Sequence, residues 1–130
     1  MVGIVIVSHS WKIAEGVRDL ALQMAPGFDL IKAAGGMEDG EIGTDAMRIM
    51  EAIQEVDQGD GVVVLCDLGS AIMSTEAAIE MLDGAVNARI ADTPVVEGAI
   101  VAAVEASGGE NLDDVIRSAE EARLDRKLDA

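Results

Sequence analysis

Residues 2–7 (VGIVIV) are apolar at almost every position and rich in β-branched side chains. That is the pattern of a short strand covered on both faces. A period near 3.6 follows. Ile13, Val17, Leu20, Ala21 and Met24 recur three or four apart within residues 10–25, and Pro26-Gly27 stops them. The segment reads as a helix with those five side chains inward. Residues 28–34 (FDLIKAA) read as a second strand, more polar and so nearer an edge. A loop with four glycines spans residues 35–43, and Thr44 then stands where it can cap a helix whose apolar face is Ala46, Ile49, Met50, Ile53 and Val56. Residues 61–66 (GVVVLC) form a third apolar run, and Asp67-Leu68-Gly69-Ser70 turns into a helix reaching Leu82, with Ile72, Ile79 and Leu82 inward. Residues 88–91 are a short fourth strand. Thr93 as cap and Pro94 at the first position suit a helix over residues 95–107, apolar nearly all round and therefore expected to be deeply buried. Gly108-Gly109 ends it. Asn111 caps a last helix with Asp113 and Asp114 in its first turn, and Arg123, Arg126 and Lys127 lie near its end, matching the helix dipole.

Strands and helices thus alternate, with a second helix after the fourth strand. Alternation of this kind predicts an α/β fold in three layers: an open, mainly parallel four-stranded sheet with helices on both faces. The two most apolar strands, first and third, belong in the centre, giving the order 2-1-3-4. Residues 1–130 are expected to form one domain, and no internal repeat or low-complexity linker interrupts them.

The order also locates a site. Ligands of open parallel sheets bind at the carboxyl ends of the strands, where the winding reverses. Here that is between strands one and three. Strand one ends in Ser8-His9-Ser10 and strand three in Asp67, and His9 is the only histidine in the chain. A neutral imidazole is a nucleophile. An aspartate on one ring nitrogen fixes the tautomer and stabilises the positive ring formed on attack. A phosphoryl group also needs donors. Gly69, Ser70 and Ala71 open the third helix, where amides outside the ladder favour an anion. Ser10 opens the first helix at the same face. The Ser70 and Thr44 hydroxyls are further candidates, as is Gly36 in the glycine-rich loop. That loop is no Walker A motif, because no Gly-Lys-Ser/Thr follows.

Composition narrows the chemistry. Half of the residues are hydrophobic but only 2% are aromatic, so the core is aliphatic and methionine-containing. No apolar run approaches the roughly 20 residues of a membrane span, and the N-terminus lacks a signal peptide's basic start, which makes the cytoplasm the expected location. A single cysteine, Cys66, excludes an internal disulfide and a multi-cysteine metal site. The net charge of −16 makes nucleic acid a poor partner. It suits docking to a basic protein patch, and equally simple solubility.

Four stretches, IVIVSHSWKIAEGVRDLALQM, AAGG…IGTDAMRIMEAI, VVVLCDLGSAIMSTEAAIE and VVEGAIVAA, together resemble the phosphotransferase subunits of bacterial dihydroxyacetone kinases that use phosphoenolpyruvate. Those subunits are related to the enzyme IIA domains of mannose-class phosphotransferase systems. The likeness runs at least over residues 2–108. It implies a phosphorelay in which the general phosphocarrier HPr phosphorylates His9. His9 passes the group to ADP on the kinase's nucleotide subunit, and dihydroxyacetone phosphate results. Asp67 is then the orienting partner of His9, the subunit is a homodimer, and ADP/ATP and Mg²⁺ reside on the partner. No cofactor or metal is expected on this chain. Leu68-Gly69-Ser70-Ala71 replaces the Trp-Gly-Ser-Pro run of the transporter branch, which favours the kinase branch. The chain stops at Ala130, so HPr is expected to be a separate protein.

The alternatives are a mannose-class sugar-transporter component and a phosphorylated regulatory module. An aspartate-phosphorylated receiver is disfavoured, because Ser8-His9-Ser10 stands where a receiver's acidic pair would hold Mg²⁺. Cys66 reads as a buried, inert thiol pointing away from the site. Trp11 suits either a docking anchor or partial packing. Glu97 reads as a dipole partner in its helix's first turn. The seven methionines read mostly as core, Met37 excepted.

Overall fold

Residues 1–129 are described here from a computed structural model. Strands β1 (Gly3–Ser8), β2 (Ile31–Gly35), β3 (Val62–Cys66) and β4 (Ala88–Ile90) alternate with helices α1 (Trp11–Met24), α2 (Ala46–Val56), α3 (Gly69–Leu82) and α4 (Val95–Ser107). Helix α5 (Leu112–Glu121) and a 3-10 turn (Ala122–Leu124) follow. All three strand pairs are parallel, in the order β2-β1-β3-β4 that the apolar runs predict.

The strand period of two divides the core. Ile4 and Ile6 of β1 and Val63 and Leu65 of β3 face α1, α4 and α5. Val5, Val7, Val62, Val64 and Cys66 face α2 and α3. Both central strands are buried on both faces, which is why they carry no polar residue before Ser8.

The helix faces differ from expectation. In α1 the buried stripe is Ala14, Val17 and Ala21, whereas Ile13, Leu20 and Met24 are exposed. Small side chains let α1 lie close to α4 and the sheet, and the longer ones turn outward. In α3, Ala71, Thr75, Ala78 and Leu82 point inward, Ile79 is half-buried and Ile72 is exposed. Helix α4 buries only its small-residue face, Gly98, Ala99, Ala102, Ala103 and Ala106, and leaves Val96 and Val104 in solvent. Six of the seven methionines are exposed, so methionine is surface here rather than core.

Strand β2 starts at Ile31, because Gly27 adopts a positive φ of 83° and the Phe28 amide turns back to the Ala25 carbonyl. Asp45, not Thr44, caps α2, accepting from the Met47 amide at 3.0 Å. Pro94 is itself the cap residue of α4, and the buried Thr93 hydroxyl makes no capping bond. Asn111 caps α5 by accepting from the Asp114 amide. Two of the basic residues beyond α5 pair with carboxylates: Arg123 with Asp92 and Lys127 with Glu97. Glu97 thus has a lysine partner as well as its place in the first turn of α4.

Candidate functional site

The carboxyl ends of β1 and β3 lie side by side, with Val7 in register with Cys66. The next residue on each strand is therefore a neighbour. The Asp67 amide donates to the Val7 carbonyl at 3.1 Å, which sets the carboxylate across from His9.

Asp67 accepts four hydrogen bonds. Its Oδ2 receives the Ser8 hydroxyl at 2.9 Å and the His9 amide at 3.0 Å. Its Oδ1 stands 2.9 Å from His9 Nδ1 and receives the Leu68 amide at 2.7 Å. Burial pushes the Asp67 carboxyl up, but the bonds from the His9 amide, the His9 ring, Ser8 and Leu68 outweigh it and hold the group below its ordinary value. An ionised carboxylate only accepts, so Nδ1 carries a hydrogen, and in the neutral form of the ring the lone pair stands on Nε2. Nε2 faces the hydroxyl of Ser70 in the first turn of α3. The ring is neither sealed nor free: its side chain is 22% exposed, against 14% for Asp67.

The structure thus gathers His9, Asp67 and Ser70 around one imidazole. The other expected phosphate contacts fare differently. The Gly36 amide is committed to the Ser8 carbonyl at 3.1 Å and the Ala71 amide to the Leu68 carbonyl at 3.0 Å. The Ser10 amide binds the Ser8 hydroxyl, and its own hydroxyl caps α1 at the Ile13 amide. The Thr44 hydroxyl binds Ser74 at 2.6 Å. Gly69 and Ser70 remain as amides opening α3 outside its hydrogen-bond ladder.

Two residues at the site escape the sequence reading. Ser8 is completely buried, and its hydroxyl bridges Asp67 and the Ser10 amide. Its signal is the first polar residue ending an otherwise apolar strand. Ser74 lies one helical turn beyond Ser70, and only that spacing marks it.

The surroundings settle the remaining candidates. Cys66 is buried against Thr75, and burial foremost raises its thiol to about 11. Trp11 is 48% exposed at the start of α1, immediately after His9-Ser10, and Met37 is exposed in the loop. No group of three or more His, Cys, Asp or Glu side chains is gathered as a metal would require among the described residues.

Residues 3–116 match the family described as the PTS system fructose IIA component. The phosphoryl donor subunit DhaM of the PEP-dependent dihydroxyacetone kinase of Escherichia coli K12 is 45% identical over 89% of this chain. The chain spans only 26% of that relative's length. The phosphotransferase subunit DhaM of the PTS-dependent dihydroxyacetone kinase of Lactococcus lactis is 37% identical, over 95% of this chain and 98% of its own. A crystal structure of a protein of unknown function superposes with a TM-score of 0.83 at 32% identity, covering 98% of each chain. The chain belongs to the mannose-class enzyme IIA family, and the DhaM subunits are among its relatives there.

Proposed function

We propose that this chain is the histidine phosphocarrier of a phosphoenolpyruvate-dependent dihydroxyacetone kinase, taking a phosphoryl group from HPr on His9 and giving it to ADP held by the kinase's nucleotide subunit. One observation carries the reading: His9 stands between a carboxylate on Nδ1 and a hydroxyl on Nε2. Nε2 attacks the phosphorus on the donor. A phosphorus–nitrogen bond forms there as the donor's bond to phosphorus breaks, and the bonding pair returns to the donor. Nδ1 keeps its hydrogen, and Asp67 offsets the positive charge of the ring. In the second half the Nε2–phosphorus bond breaks as the phosphoryl group passes to an oxygen of the acceptor nucleotide on the partner, and the bonding pair returns to Nε2, which restores the neutral ring.

Before the first step the Ser70 hydroxyl donates to the Nε2 lone pair. It swings aside as phosphorus approaches and can then donate to a phosphoryl oxygen. Little covalent work is asked of the protein. It supplies alignment and charge stabilisation, the main contributions in phosphoryl transfer. ADP/ATP and Mg²⁺ belong to the partner subunit in this scheme, and the chain needs no cofactor of its own. Cytoplasmic residence and a homodimer complete the reading. A net charge of −16 favours encounter with basic docking patches. Among the described residues no helix is long and apolar enough to cross a membrane.

The test uses purified protein with phosphoenolpyruvate, enzyme I and HPr, followed by intact mass. Wild type gains one phosphate and His9→Ala gains none. The phosphoprotein then discharges to the ADP-loaded nucleotide subunit and not to a mannose-type permease component. Label retained by His9→Ala overturns the site. Rapid discharge to the permease component alone transfers the chain to the sugar-transporter reading, and discharge to neither acceptor to the regulatory one.

A further inference from the structure

The loop of residues 36–45, between β2 and α2, grips His9 by its backbone. The Gly36 amide donates to the Ser8 carbonyl at 3.1 Å and the Gly43 amide to the His9 carbonyl at 2.9 Å. These two carbonyls flank His9 on either side, and its own amide is held by Asp67 at 3.0 Å. The main chain at the histidine is therefore fixed from β3 and from the loop together. The loop is itself compact, closed by the Met37 amide on the Glu41 carbonyl and the Gly40 amide on the Met37 carbonyl, both at 2.9 Å.

The residue after Gly43 reaches the other side of the site. Thr44 Oγ1 and Ser74 Oγ are 2.6 Å apart, in a part-buried contact joining the loop to α3. Ser74 and Ser70 are four residues apart, so they share one face of that helix. Ser70 faces His9 Nε2. A closed circuit results: His9 to Gly43 and Thr44, across to Ser74, one turn back along α3 to Ser70, and from there to the imidazole. The start of α3 is also held by the Leu68 amide on Asp67 Oδ1 at 2.7 Å and by the buried Ala71, but the turn that carries the Ser70 side chain lies open. Its cap residue, Leu68, makes no side-chain capping bond, and Leu68, Gly69 and Ser70 are all exposed.

We infer that Thr44 and Ser74 are positioning residues for the phosphoryl transfer, setting the reach of the Ser70 hydroxyl to Nε2 by tying α3 to the loop that holds His9. Neither needs to touch the phosphoryl group. Thr44 does its work by binding Ser74, not by entering the phosphate cradle. The inference rests on His9 being the phosphorylated residue, and its test separates the two.

Ser74→Ala and Thr44→Val each remove one hydroxyl at nearly constant volume. Each is expected to lower the single-turnover phosphorylation rate about tenfold at saturating HPr, a fraction of what misplacement by 1 Å can cost. The KM for HPr stays unchanged. The double variant is expected to be no slower than either single one, because both delete the same bond. Ser74→Thr keeps a hydroxyl and recovers most of the rate. A second readout needs no activity: in the unphosphorylated protein, ¹⁵N spectra of the imidazole show Nε2 shifted in both single variants while Nδ1 stays protonated. Wild-type rates in both singles, a double variant slowed by the product of the two effects, or an unmoved Nε2 resonance overturns the inference. Label retained by His9→Ala instead overturns the phosphocarrier reading, while the resonance still decides on the Thr44–Ser74 tie.

Discussion

The Ser8 hydroxyl donates to Asp67 Oδ2 at 2.9 Å and accepts the Ser10 amide at 3.1 Å. A completely buried serine thereby joins the end of β1, the start of α1 and the carboxylate that faces the imidazole. Ser8→Ala strands the Ser10 amide and removes one of the donors that hold Asp67. We expect a loss of about 1–3 kcal/mol in a urea titration, the usual result of an unpaired buried group. Phosphorylation of the folded protein is expected to slow as well. Unchanged midpoint and rate would show that the bridge is idle.

Asp67→Asn keeps the shape but not the valence. One carboxamide oxygen cannot serve four donors, and the amide presents hydrogens to two of them. Phosphorylation is expected to fall about 10²–10⁴-fold, the range of a lost acid–base or orienting partner. Rapid-quench labelling measures it, and a wild-type rate removes Asp67 from the mechanism.

The same carboxylate shapes the acid limb of stability. Its hydrogen bonds hold it below the ordinary 3.8. A depressed carboxyl contributes stability in full above its unfolded value, and loses it as pH falls through the lower folded value. The gap between wild type and Asp67→Asn in denaturant midpoint should therefore close as pH falls below about 3.8. A gap that widens below that pH contradicts this.

Gly35 ends β2 beneath the start of α1. A methyl group there would lie 2.6 Å from Trp11 Cα and 2.7 Å from the Ser10 carbonyl oxygen. Since those atoms are backbone, Gly35→Ala must push the first turn of α1 away from the sheet. We expect a cost of about 1–3 kcal/mol and slower labelling of His9. Thermal melting and mass-monitored phosphorylation check both, and a variant indistinguishable from wild type refutes the close approach.

Cys66 should resist alkylation. Burial and a thiol raised to about 11 leave almost no thiolate near neutral pH. Iodoacetamide at pH 8 is expected to leave the native protein at its unmodified mass and to label it once in urea. Prompt labelling of the native protein would place Cys66 at the surface.

The strand order was legible because apolar runs report burial on both faces directly: VGIVIV and VVVLC could only be central. That order, with one histidine and one aspartate at adjoining strand ends, was enough to bring His9 and Asp67 together. Helix faces were less legible. Hydropathy ranks Ile13 and Leu20 above Ala14 and Ala21, but close approach of α1 to α4 rewards small side chains, so the buried stripe lies rotated from the predicted one. Thr44 illustrates a second obstacle. Its sequence neighbourhood suits a cap, whereas its actual partner, Ser74, is thirty residues distant and carries no local signal. The amides of Gly36 and Ala71 looked available for the same reason, since their acceptors are set by tertiary placement and turn geometry.

The buried face of α4 is made of Gly98, Ala99, Ala102, Ala103 and Ala106. None of these has a heavy-atom rotamer to lose, so ordering that face costs backbone entropy alone, with a side-chain contribution near zero. Each contributes little apolar area, and adhesion therefore comes from main chain lying close to main chain. Such a helix is thermodynamically light to immobilise but intolerant of added bulk: a Cβ at Gly98 would already meet Thr93 Cγ2 at 2.2 Å. A larger side chain anywhere on this face is therefore expected to push α4 off α1 and the sheet, whatever stands on its solvent side.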